Sequence, residues 1–292
     1  MRLIYVCLIT LVLLGCEKEL QFSNPDFKPK LVVNGFVSTD STANISLSMS
    51  TSTLTQPSKT LLGGKAKVLI LKDELLLYSD SLTLRNGMLP VPFKPIVGSI
   101  YELRVSHSNL PTIIAIDTVP LSKPSITIDT LKDEGTSYRL VLKIKDHIET
   151  NRYTINLNFR SKELQGIDSI SRLYPVTFTS SDKIFLSNIK TIATGRKLAI
   201  FSDETWNGTE RSIELIFDKS LLEYPNVIPE FVELNVKGIS KNMYDYYIEL
   251  NNNSHVYGGP LSSVSRVVGN VSDGLGAFCF YTERMTQLKL PH

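Results

Sequence analysis

Along the chain, apolar residues return at every second position in a series of short runs, the period of a strand with one buried face. In KAKVLIL, Ala66, Val68 and Ile70 fall together, and in RLVLKIK so do Leu140, Leu142 and Ile144. In YTINLNF, Tyr153, Ile155, Leu157 and Phe159 share one face, and polar Thr154, Asn156 and Asn158 fill the other. Further runs of this kind are LVVNGFV, ISLSM, YELRVS, TIIAIDT, RSIELIFD and FVELNVK, separated by Gly, Pro, Asn and Asp. Many short strands between turn signals predict a mainly β protein built from antiparallel sandwiches.

One segment changes period. In GISKNMYDYYIELNNN, Met243, Tyr244, Tyr247 and Ile248 share a helical face, while Tyr246 projects elsewhere. Ser240 is placed to cap the N-terminus, and Ile239 and Tyr244 occupy the staple positions. A helix over about 240–253, covering a sheet, is therefore predicted, with Asn251 to Asn253 stopping it.

The N-terminus has no such period. Arg2 precedes a run from Leu3 to Leu14 broken only by Thr10, the pattern of a signal peptide. A bilayer needs about 20 apolar residues, so this run predicts a removed leader over 1–15 and not a retained span. Leu13-Leu14-Gly15-Cys16 resembles a bacterial lipobox, in which the cysteine receives lipid and becomes the anchor. The alternative is a plain secretory signal with an incidental cysteine. With Cys7 removed and Cys16 acylated, only Cys279 would keep a thiol, and inside AFCFYTE it reads as a small buried hydrophobe. The following EKELQFSNPDFKPK is polar with two prolines and predicts a tether over 16–29. Roughly 13 residues at about 3.4 Å each could lift a domain on the order of 40 Å. Glu17 and Glu19 around Lys18 are similar to the charged segment of surface-displayed Bacteroidota lipoproteins.

In the first half, LVVNGFVSTD, GGKAKVLIL, NGM and GSIYELRVSH resemble seven-stranded domains of the immunoglobulin or transthyretin-like kind. The resemblance implies a turn at Gly63 and Gly64, another at Gly98, and Tyr101, Leu103 and Val105 facing a core. The predicted organisation is an immunoglobulin/transthyretin-like sandwich over 30–120, joined through Pro120 and Pro124 to a larger β-rich domain over 121–292 that holds the helix.

Charge and motifs narrow the chemistry. Thirty-one basic and 29 acidic residues are interspersed, so no basic field marks a nucleic-acid protein. The four histidines, His107, His147, His255 and His292, lack zinc-site spacing, GNVSDGLGAF lacks the lysine of a phosphate loop, and there is no GxSxG elbow. No catalytic, metal-binding or cofactor-binding residue is assigned, and no cofactor is expected. Asp203 and Glu204 are adjacent and would diverge on a strand, and Asn207-Gly208 is a turn signal. A structural turn is favoured there over a catalytic or calcium loop. Ser41, Ser81, Thr118, Thr130 and Ser169 each follow an aspartate in a setting that resembles the Asp-Ser/Thr-apolar signal for O-glycosylation of exported Bacteroidota proteins. Asp-Ser pairs also favour turns.

LAIFSDETWNGTERSIELIFD, the YDYYIELNNN helix and GGPLSSVSRVVGNVSDGLGAFCFYT closely resemble the C-terminal half of the Bacteroidota lipoprotein family catalogued as domain of unknown function 4249. Asp203, Glu204, Trp206, Asn207 and Gly208 would form its loop before a strand, and Asn270, Gly274, Gly276 and Phe278 its closing segment. Two departures are the proline-rich stretch reduced to Pro260 and Cys279 in place of a small residue. The resemblance implies an outer-membrane lipoprotein, anchored by lipid on the cell-surface or periplasmic face, and such proteins are often linked to TonB-dependent transporters. The function expected is a non-enzymatic binding or accessory protein in nutrient uptake. A surface glycan or peptide hydrolase, and an adhesion or envelope-structural lipoprotein, are the alternatives.

Overall fold

A computed structural model describes residues 27–51, 64–83, 87–91, 93–107, 110–165, 168–185, 190–191, 197–219, 227–253 and 269–291. Cys16 and its tether as far as Asp26, Gly63 and Pro260 lie outside the described residues, as does the side chain of Ser169. The first half forms β1 (Leu31–Ser38), β2 (Ala43–Met49), β3 (Lys65–Lys72), β4 (Leu75–Thr83), β5 (Met88–Val91), β6 (Ile100–His107) and β7 (Leu110–Thr118). There follow β8 (Ser125–Asp133), β9 (Ser137–Lys145), β10 (Arg152–Gln165), β11 (Asp168–Val176), β12 (Phe178–Thr179), β13 (Lys190–Thr191), β14 (Lys197–Ser202), β15 (Glu210–Asp218) and β16 (Val227–Ile239). Helix α1 (Lys241–Asn253), β17 (Val271–Ser272) and β18 (Leu275–Leu288) complete the chain. The described protein is thus mainly β, and each strand-like run of the sequence lies in a strand.

The strands form three sheets. A nine-stranded sheet in the order β13-β14-β10-β16-β18-β1-β2-β5, with β11 added on β10, is the spine. The others are a four-stranded sheet, β12-β15-β9-β8, and a five-stranded sheet, β17-β7-β6-β3-β4. The predicted alternation decides which faces meet. Leu31, Val33 and Val37 of β1, Ile45 and Leu47 of β2 and Phe278 and Phe280 of β18 share a core with the inward faces of β3, β6 and β7. Farther along the same side of the spine, Tyr153, Ile155, Leu157 and Phe159 of β10 and Val232, Leu234 and Val236 of β16 share a second core with β9 and β15. Each fully buried aliphatic or phenyl side chain in these cores contributes about 1.5–3 kcal/mol.

β18 belongs to both cores, giving Phe278 and Phe280 to the first and Leu288 to the second. It runs antiparallel to β16 on one side and parallel to β1 on the other. The segments before and after residue 120 therefore share one sheet. Where the chain crosses between them, the Thr282 hydroxyl donates to the Ser122 carbonyl at 2.8 Å. Gly238 faces that crossing, and a Cβ there would lie 2.8 Å from the Thr282 oxygen.

Helix α1 covers the opposite side of the spine. Ser240 caps it as expected: its Oγ accepts from the Met243 N–H at 3.2 Å, and its carbonyl takes the Tyr244 N–H at 3.0 Å. Met243 packs with Ile200, Ile239, Ala277 and Cys279, with Tyr244, Tyr247 and Ile248 around them. Tyr246 departs from its predicted position. It joins this cluster, 5.7 Å from Phe36 between ring centroids, because Phe36 on neighbouring β1 extends the apolar surface beneath the helix.

Candidate functional site

The loop after β9 and the loop after β14 meet at one end of the second core. The meeting begins in the strands: the Tyr153 ring stacks on Phe201 at 5.5 Å and on Trp206 at 6.0 Å. Asp146, just past β9, accepts from the Tyr153 hydroxyl at 2.5 Å and the Asn151 side-chain amide at 3.2 Å, and its second oxygen accepts from the Gly208 N–H at 2.9 Å. Asp203, just past β14, accepts from the Asn151 N–H at 2.7 Å. The backbone stitches the loops further, through Asp203 N–H to Asn151 carbonyl at 3.2 Å and Gly208 N–H to His147 carbonyl at 3.2 Å. Gly208 takes a positive φ of 73°, the turn that Asn207-Gly208 predicted.

Asp203 is fully buried, and its Oδ1 has no donor. Burial raises its pKa to about 6, and the neighbouring Asp146 carboxyl adds to the rise, against the N–H bond from Asn151. Burial and the same two carboxyls raise Tyr153 as well. Two like charges in one dry site are avoided when a single proton is held between them. A neutral Asp203 can donate from Oδ1, which otherwise lacks a partner, toward Asp146. Below about pH 6 the arrangement holds a proton; it ties two loops, and its acid is closed to water. General acid–base chemistry requires a group within hydrogen-bond reach of its substrate. Glu204, the neighbour in sequence, is exposed.

A second buried acid sits where β7, β18 and the start of α1 meet. Asp117 accepts from the Asn242 side-chain amide at 2.9 Å and from the Phe280 N–H at 2.9 Å. Burial raises its pKa to about 6 despite hydrogen bonds from Ser240, Phe280, Thr118 and Asn242. Asn270 repeats the device beside it, donating to the Ile116 and Phe278 carbonyls and accepting the Phe278 N–H at 2.9 Å. Cys279 is buried as read, and burial first, then the Asp117 charge, push its thiol well above the usual range. A thiol held protonated is a poor nucleophile.

The glycines of the closing segment serve close approach. Gly276 has φ +92°, and a Cβ there would lie 1.9 Å from the Val33 carbonyl oxygen. A Cβ on Gly274 would lie 2.7 Å from the Ile113 side chain and 2.8 Å from the Leu31 carbonyl oxygen. Of the glycosylation candidates, Ser41, Ser81 and Thr118 are exposed and Thr130 is half-buried, although the aspartate before Thr118 is the buried Asp117. Among the described residues no group of three or more His, Cys, Asp or Glu gathers to hold a metal ion. No described helix is long and apolar enough to cross a membrane.

Sequence reasoning named Asp203, Trp206 and Gly208 as one loop but missed Asp146, Asn151 and Asp117. Their only signal is a polar residue at or just past the end of an alternating strand, which marks a loop start without naming its neighbours.

Fold and sites together define a mainly β protein on one long shared sheet, with buried acids tying loops and strands and one short helix laid across. The chain belongs to the family described as Domain of unknown function (DUF4249), whose pattern matches residues 17–287. No curated protein matches it.

Proposed function

We propose that the protein is a lipid-anchored outer-membrane lipoprotein that acts without catalysis, as a binding or accessory partner of a TonB-dependent transporter in nutrient uptake. The anchor is supported by Leu13-Leu14-Gly15-Cys16 behind a short apolar leader, and the tether by the polar residues up to Pro29. The accessory role is supported by one contrast. The carboxyls that converge, Asp146 and Asp203, are buried and face other protein groups, whereas large apolar side chains on a sheet edge stand open to water. We further propose that residues 30–120, completed by β18, form a sandwich of the immunoglobulin or transthyretin-like kind, on which exposed edges and loop ends supply binding surface. A tether then lets the domain meet a partner in the same membrane at high effective concentration.

The test is purification from native membranes in mild detergent, with Cys16→Ala as the unanchored control. Recovery of a TonB-dependent transporter in stoichiometric amount, lost in the control, supports the role. Recovery of the lipoprotein alone removes it and makes glycan or peptide hydrolysis the next activity to assay.

A further inference from the structure

β4 ends the five-stranded sheet and pairs only with β3 among the described strands. Its first residues, Leu75, Leu76 and Leu77, are 75%, 63% and 48% exposed. The register shift opposite Ile70 and Leu71 leaves Leu77 as the extra residue, so the three leucines do not alternate cleanly between core and solvent. The apolar surface continues past the strand. The turn at Asp73 is held to Ile100 by two hydrogen bonds of 2.9 Å, and Val97, Ile100 and Leu121 are exposed beside it.

Among the described residues, the other terminal strands carry features that oppose strand addition. β12, β13 and β17 have two residues each, and β5 is four residues long and contains Pro90. β8 ends in Lys132 and Asp133, and β11 carries Arg172 and Pro175. β4 is nine residues long and opens on three leucines.

We propose that β4 takes up an extended strand from a different protein by main-chain pairing, with apolar side chains of that strand seated on Leu75 and Leu77 and a basic one near Glu74. Three features favour this occupant. A lipid surface would leave the edge N–H and C=O groups without partners and would draw Asp73 and Glu74 toward hydrocarbon. A second copy of this chain fits poorly: full-length antiparallel overlap sets Leu75 against Thr83 and Leu77 against Ser81. A register that matches leucine to leucine runs at once into the Asp73–Glu74 turn, whose residues have φ of 48° and 69°. Glu74 is exposed at the apex, where an incoming basic side chain completes the pairing. This deepens the accessory role and rests on it only for where the partner is met.

The experiment places a photoreactive benzoylphenylalanine at Leu76 in the full-length chain in its native envelope, with the same probe at exposed Ile170 of β11 as control. One protein adduct from position 76 and none from 170 is expected, mapping by mass spectrometry to a single extended segment of the partner. Leu75→Glu with Leu77→Glu should lower its yield about tenfold, the scale of losing one interface anchor, without moving the melting temperature. An adduct to a second copy, an adduct to lipid alone, no adduct, or a yield untouched by the double variant would each overturn the proposal. An adduct to a protein that is no transporter upholds the strand edge and removes the transport assignment.

Discussion

Asp203 and Asp117 show how differently two buried acids can be used. Each has a folded pKa of about 6 against an ordinary 3.8, so the folded chain keeps these protons to higher pH than the unfolded chain. Their stabilising contribution is full below pH 3.8 and is lost as pH rises through about 6. Asp133 and Glu134 have the opposite sign: hydrogen bonds from Lys219 and Arg139 hold them below the usual carboxylate range, and their effect fades only at more acid pH. Asp203→Asn supplies an amide that donates toward Asp146 while its oxygen keeps the Asn151 N–H. It should hold or raise the melting temperature at pH 7.5 and flatten the decline between pH 4 and 7. In Asp117→Asn, both oxygens being replaced accept from donors, so the new NH2 must face the Phe280 N–H or the Asn242 amide. An unmatched buried donor costs about 1–3 kcal/mol, so this variant should lose stability at every pH. Melting curves of both variants across that range check the contrast, and equal losses would contradict the shared proton.

At the scale of the element, alternation made the strands legible because the period of two survives whichever sheet the strand joins. YTINLNF became the first half of β10 with its predicted face inward. Ser240 was legible for a local reason, since a cap bonds within its own turn. Partners were not legible. Nothing in RLVLKIKD says that Asp146 will meet Asp203 from a loop more than 50 residues away, or that Asp117 will receive an N–H from Phe280. Tyr246 was misplaced for the same reason: the helical wheel was read without Phe36 beneath it. Ser240 also helps lower the Asp117 pKa, and Asn242 beside it donates to Asp117 at 2.9 Å, so the first turn of the helix is tied to β7. Ser240→Ala should therefore cost about 1–2 kcal/mol, at the upper end for an N-cap, as measured by urea unfolding. A loss below about 1 kcal/mol would mean that the tie to Asp117 adds nothing to the cap.

Across the whole molecule, the last strand decides how the chain unfolds. β18 lies between β16 and β1 and lends side chains to both large cores, while Ala277 and Cys279 form the floor beneath α1. Losing it would leave β1 with an open edge, strip Phe278 and Phe280 from the first core, and remove the helix's seat. A linker joining two independent domains would transmit none of this, whereas a shared strand couples them. We predict one cooperative thermal transition for both cores. The chain contains one tryptophan, Trp206, which stacks on Tyr153 at the end of the second core, so its fluorescence reports that core alone. Hydrogen exchange at buried Leu103 and Val105 of β6 reports the first. The two should lose protection at the same temperature and denaturant midpoint. Gly276→Ala, which drives a methyl group into the Val33 carbonyl where β1 meets β18, should move both reports together. A variant that lowered the β6 midpoint while leaving Trp206 in place would show that the cores unfold apart, with β18 a seam between two domains.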